Sequence, residues 1–147
     1  LTTIIPSLFR GQDGNVLTTW DQWLTSTPAF PIPGSGVIMT GAATGGTIYE
    51  DYKVGVVGIA FLDPALRISE IKMQISDKKL PRINIEEAFA YNRPALIFEK
   101  GFILNEQTAF ELYAYVLSQG PQRIKLIGLQ ANRVKDKVLT EPGSALT

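Results

Sequence analysis

The sequence predicts an all-β fold, an antiparallel sandwich or barrel, on three observations. The first is residues 108–132, TAFELYAYVLSQGPQRIKLIGLQAN. Phe110, Leu112, Ala114 and Val116 alternate with Glu111, Tyr113 and Tyr115, and further on Ile124, Leu126 and Gly128 alternate with Arg123, Lys125 and Ile127. Successive side chains of a strand point to opposite faces, so each half has one buried face and one mixed face. Ser118-Gln119-Gly120-Pro121 stands between them and reads as the turn of a closing hairpin. The second observation is spacing: roughly seven to nine short strand-like segments recur about 8–12 residues apart, with turn residues between. The third is the lack of helical segments long enough to cross between parallel strands.

Taken in order, residues 1–35 differ from the rest. Pro6, Pro28, Pro31 and Pro33, with Gly11, Gly14 and Gly34, interrupt any regular element. Leu17, Trp20 and Leu24 fall at the i, i+3, i+7 spacing of a short helix face, and AFPIPG should be extended. The first residues, LTT, show no charged segment leading into an apolar one, so no signal peptide is expected in this stretch. From Gly36 the chain turns to strands. They are expected over residues 37–39, 47–52, 53–62, 66–75 and 82–86, then 95–98 and 102–104 around Glu99-Lys100-Gly101. Gly55 and Gly58 predict a bulge or the close approach of another backbone. A single helical turn is expected over residues 86–91 and a last edge strand over 134–139. The organisation is thus an arm (1–35), a β-domain (36–140) and a tail (141–147). Its expected core is Phe61, Ile71, Met73, Ile75, Ile83, Ile85, Phe110, Leu112, Val116, Ile124 and Leu126.

Composition narrows the chemistry. There are 147 residues, no Cys and no His. Without them a Ser-His-Asp triad, a Cys-His dyad or a typical zinc site cannot be assembled within the chain. Fourteen basic residues balance fourteen acidic ones, so no general attraction to nucleic acid is expected. The basic run Arg123, Lys125, Arg133, Lys135 and Lys137 is interrupted by Asp136, has no interleaved aromatics and reads as a solvated edge. No run approaches the ~20 apolar residues of a membrane span.

Candidate sites are few. The loop GAATGG (41–46) lacks the lysine of a phosphate-binding loop. Glu86 and Glu87 are adjacent and diverge on either a strand or a helix, and Glu70, Glu86, Glu99, Glu106 and Glu111 cannot be matched into a pair from sequence. Asp51, Asp63 and Asp77 lack the spacing of a calcium loop and read as turn residues. What remains is aromatic. Trp20, Trp23, Phe30, Pro31 and Pro33 in the arm, with Tyr113 and Tyr115 on one strand face, are the expected subunit-contact residues. The arm is expected to bury against a neighbouring subunit more than against its own domain.

A Pro/Gly-rich arm, about eight short strands, the amphipathic FELYAYVLSQGPQRIKLIGL and the absence of His and Cys together resemble the single jelly-roll subunits of virus capsids and of the cement or decoration proteins that bind them. The likeness spans residues 36–140, with the arm added. It implies an antiparallel β-sandwich of jelly-roll type and a non-enzymatic structural role in a virion. The implied partners are copies of itself or another capsid protein, with no catalytic residues, cofactor or metal. Jelly rolls also include lectins, so the alternative is a carbohydrate-binding or host-attachment module with a glycan as partner.

Overall fold

The computed structural model describes residues 2–63 and 66–132. Its strands are β1 (Thr2–Thr3), β2 (Phe9–Arg10), β3 (Asp21–Leu24), β4 (Gly34–Gly41), β5 (Tyr52–Phe61), β6 (Ile68–Ile75), β7 (Lys78–Lys79), β8 (Ile83–Asn84), β9 (Ala95–Leu104), β10 (Phe110–Val116) and β11 (Gly120–Asn132). One short helix, α1 (Ile85–Ala90), follows β8. The strands form two antiparallel sheets. One runs β1-β11-β5-β9 with β3 also on β11; the other runs β2-β4-β10-β6-β7 with β8 also on β6. The fold is therefore an all-β sandwich.

The long strands alternate strictly between the sheets. β4, β6 and β10 belong to the second sheet, and β5, β9 and β11 to the first. Pairing is also nested. β3 pairs with β11, β4 with β10, β5 with β9 and β6 with β8, so early strands meet late ones and the innermost pair is the most local.

The expected hairpin over residues 108–132 does not form. Its two strands exist, but β10 pairs with β4 and β6, whereas β11 pairs with β5, β3 and β1 in the opposite sheet. The link between them arches across the sandwich. Arg67 holds this arch, donating from Nε to the Pro121 carbonyl at 3.0 Å and from Nη1 to the Gln119 carbonyl at 2.9 Å and Ser118 Oγ at 3.0 Å. Gly120 has φ +139°, and its missing Cβ leaves the space that the Arg67 guanidinium fills. The inward rows of the two strands, Phe110, Leu112, Ala114 and Val116 on one and Ile124 and Leu126 on the other, are all buried in the shared core.

Residues 2–30 are woven into this core. β1 and β3 lie on β11, β2 lies on β4, and Ile4, Leu8, Phe9, Leu17, Leu24 and Phe30 are buried. Phe9 packs edge-on against Phe110, with ring centroids 5.7 Å apart. The helix expected near residues 17–24 is replaced by β3. Asp21 and Trp23 point out while Gln22 and Leu24 point in, a two-residue period stabilised by pairing with Arg123, Pro121, Gln122 and Gly120. Leu17, Trp20 and Leu24 match the helical spacing only by coincidence.

Other differences are local. Residues 95–104 form one strand, not two. Val56 pairs with Phe102 and Gly58 with Ile97, so residues 98–101 stand opposite Val57 as a bulge. In place of a strand over 47–52, Thr47 makes isolated bridges and β5 starts at Tyr52. Residues 82–86 divide between β8 and α1, where Asn84 caps the helix by accepting from the Glu87 amide at 2.9 Å. Of the expected core, Ile75 and Ile83 are only partly buried and the others are buried. The expected strand over 134–139, the tail 141–147 and Arg133, Lys135 and Lys137 lie outside the described residues.

Candidate interaction face

The outer face of the β11 sheet is apolar where a solvated face would be polar. Along β11, residues Pro121, Arg123, Lys125, Ile127, Leu129 and Ala131 point outward, because Gln122, Ile124, Leu126 and Gln130 between them are buried. Beside Leu129 on neighbouring strands lie Gly55 and Ile103, and beside Ile127 lie Gly58 and then Ile97. Val57, Ile97, Ile103 and Leu129 are 44%, 68%, 59% and 50% exposed. Four large aliphatic side chains on one sheet face make a patch of the kind that marks interaction surfaces.

Glycines give the patch its shape. Gly55, Gly101 and Gly128, with Val57, Ile103 and Leu129, line a shallow groove of about 320 Å³. Two of these glycines, and the nearby Gly58, are required by the fold itself. A Cβ at Gly58 would stand 2.5 Å from the Leu96 carbonyl oxygen, one at Gly101 2.7 Å from that of Val56, and one at Gly128 would overlap that of Gly55. Gly55 is different. Its Cβ would meet only the Leu129 carbonyl oxygen, at 3.8 Å, an ordinary contact.

At the far end of the same face stands Trp23, paired with Pro121 and 66% exposed. Between it and the groove runs a charged row in which Arg123 binds Asp63 at 3.0 Å and Asp21 at 3.7 Å. Asp63, read from sequence as a turn residue, thereby ties the loop after β5 to β11, also accepting from the Arg123 amide at 2.7 Å.

The other expected contact residues are scattered. Trp20 is half-buried against Phe9, its ring centroid 6.2 Å away. Phe30 is buried on its own sandwich, over Gly36, where a Cβ would stand 2.7 Å from the ring. Phe30 therefore packs on its own chain, in place of the neighbouring subunit expected for it, and Trp20 packs there in part. Pro31 and Pro33 are exposed at the approach to β4.

Tyr113 and Tyr115 lie on the outer face of the opposite sheet, beside Lys72 and Glu70 of β6. The Lys72 ammonium sits 4.7 Å from the Tyr113 ring centroid, and Glu70 pairs with Arg82 at 2.8 Å. Burial, followed by the charge of Glu111 and the hydrogen bond that Tyr113 donates to it, raises the Tyr113 pKa. The hollow beside these residues holds about 40 Å³.

Of the carboxylates considered from sequence, Asp51 and Glu106 line a common cleft, and the others stand apart from it. Glu70 and Glu111 are on the outer face of the second sheet, Glu86 and Glu87 on α1, Glu99 in the β9 bulge, and Glu106 in a loop where it accepts from the Asp51 amide at 2.7 Å. Among the described residues no helix is long and apolar enough to cross a membrane. No protein family, curated protein or solved structure matches the chain.

The apolar face was half legible in the sequence. The outward row of β11 reads Arg-Lys-Ile-Leu, mixed rather than polar, and β5 carries glycines at irregular spacing. Which strands lie side by side, and hence that Val57, Ile97, Ile103 and Leu129 share one surface, emerges only from the topology.

Proposed function

We propose that this chain is a non-enzymatic structural subunit of a virus particle, a capsid or capsid-cementing protein, and that its sandwich is a jelly roll. The jelly-roll reading draws support from the nested pairing. Eight strands in the orders β3-β11-β5-β9 and β4-β10-β6-β8 describe one antiparallel ribbon rolled so that alternate strands fall in opposite sheets. The observation that carries the assembly reading is the outer face of the β11 sheet. Exposing several large aliphatic side chains together favours association, and burying the half of each that is still exposed returns about 1 kcal/mol.

The test is the state of the full chain in solution. Sedimentation over a wide concentration range should show self-association, and electron microscopy of the associated fraction should show closed or regular assemblies. A chain that stays monomeric alone and beside the other proteins of its particle would overturn the proposal. The alternative, a glycan-binding or host-attachment module, would draw on Tyr113 and Tyr115. That surface suits it poorly, because Lys72 already covers the Tyr113 ring and the hollow is close to the size of a single water. Binding of the monomer to an array of glycans, lost in Tyr115→Ala, would reverse this preference.

A further inference from the structure

We infer that the partner of the apolar face is a second copy of this chain, whose Trp23 seats in the groove over Gly55 while the first copy's Trp23 seats in the groove of the second. The inference rests on the assembly reading and gives it a geometry.

Gly55 is the starting point. A glycine inside a strand weakens it and is retained where the backbone turns unusually or something approaches closely. Gly55 is not among the residues with positive φ, and its own fold leaves room for a side chain. Nothing within the described chain requires it to be glycine. An object arriving from outside does, because any side chain there would fill the floor of the groove between Leu129 and Ile103. The object must be apolar and of a size to enter a depression of about 320 Å³ lined by Val57, Ile103 and Leu129.

Trp23 meets this description. It is a large aromatic ring on the same face, 66% exposed among the described residues. Pro121, its neighbour, is eight positions along β11 from Leu129, which at the rise of a strand is about 26 Å. A knob and a hole on one face can be exchanged by a two-fold axis running between them, which makes a closed, reciprocal pair. The sheet is two strands wide at positions 121–124, three at 125–128 and four at 129–130, so the face offers about 450 Å² per copy and about 900 Å² for the pair, the size of a weak, reversible association. The charged row inside this footprint is self-neutralised, since Arg123 is held by Asp63 and Asp21. Lys125 lies midway between Trp23 and Gly55, so the two copies of Lys125 meet near the axis and salt, by screening them, should tighten the pair.

The experiment uses the full chain and three variants: Trp23→Ala, Gly55→Val and Trp20→Phe. Sedimentation equilibrium should show a dimer for the parent chain, weakened at least about tenfold by either of the first two changes, as expected for an anchor residue and its pocket. Thermal unfolding of dilute Gly55→Val should show an intact fold. In Trp20→Phe the fluorescence of Trp23 alone should shift to the blue and resist quenching as concentration rises, and adding Gly55→Val should abolish that change. A dimer that survives both Trp23→Ala and Gly55→Val would overturn the knob and groove while leaving the assembly reading intact. A parent chain that is monomeric throughout would overturn both. Protection of Trp23 that is independent of concentration would assign the cover to its own chain and also overturn the inference.

Discussion

Phe9→Ala tests whether the N-terminal segment is an arm or part of the fold. Phe9 is fully buried, and its ring lies 5.7 Å from Phe110, edge to face, and 6.2 Å from Trp20. Truncating a buried Phe removes its transfer energy and leaves a cavity, together about 3–5 kcal/mol. A whole domain is stable by only about 5–15 kcal/mol, so the loss is a large share. In urea, with a slope of about 2 kcal/mol per molar, the midpoint should fall by about 1.5–2.5 M. The slope itself should stay the same, and the loss should not depend on protein concentration, because the contact is within one chain. A double-mutant cycle with Phe110→Ala should return a coupling of about 0.5–1.5 kcal/mol for the aromatic pair. A midpoint shift worth less than about 1 kcal/mol, or one seen only at concentrations where the chain associates, would refute the placement of Phe9 in its own core.

Two of the groove glycines, Gly55 and Gly128, should respond with opposite sign in chemical denaturation. Gly55→Ala should raise monomer stability by about 0.5–1 kcal/mol, since its Cβ finds room, whereas Gly128→Ala, which drives a Cβ into the Gly55 carbonyl at φ +157°, should lower it by more than about 1 kcal/mol. Arg67→Ala should cost about 1–3 kcal/mol by releasing three bonds to the arch between β10 and β11, and Lys should not restore it because one ammonium cannot reproduce the guanidinium fork. Tyr113 should ionise above the usual ~10 for a phenol, and Tyr113→Phe should remove a late component of the phenolate absorbance titration. Because its folded pKa is raised, the stability linked to Tyr113 is complete below the unfolded value and is lost as pH climbs through the folded one.

The class of fold was legible because a period of two survives any arrangement of the strands. Phe110, Leu112, Ala114 and Val116 are buried whichever sheet they join, and Ile124 and Leu126 likewise. The connection at Ser118–Pro121 was not legible for the same reason. A hairpin and a sheet-to-sheet arch ask the same alternation of their strands, and the decision between them rests on Arg67, some fifty residues earlier, reaching the carbonyls of Gln119 and Pro121. The N-terminal segment misleads through its prolines and glycines. They do rule out long elements, but strands as short as β1 and β2 need none, and Leu8 and Phe9 bury on core already formed by longer strands. Proline-rich sequence reports how regular a segment is, and says little about where its side chains go.

The candidate face poses the converse problem. In β5, KVGVVGIAF, Val54 and Val56 point inward and Val57 outward in ordinary alternation, and the bulge opposite residues 98–101 resets the row only after it, so that Ile59 is buried. An outward apolar residue in a run as apolar as this one looks, in sequence, like one more core residue. Burial alone therefore cannot explain why Val57, Ile97, Ile103 and Leu129 are aliphatic, since each is more than two-fifths exposed and a sheet facing only water would favour polar side chains at these positions. Gly55 sharpens the point. Replacing it by alanine should stabilise the isolated chain, yet the position holds glycine at the floor of the groove that those side chains surround. A residue that weakens the monomer and opens a recess in an otherwise apolar surface is accounted for when the recess is filled, and the exposed Trp23 on the same face is a side chain of the right chemistry to fill it in a second copy.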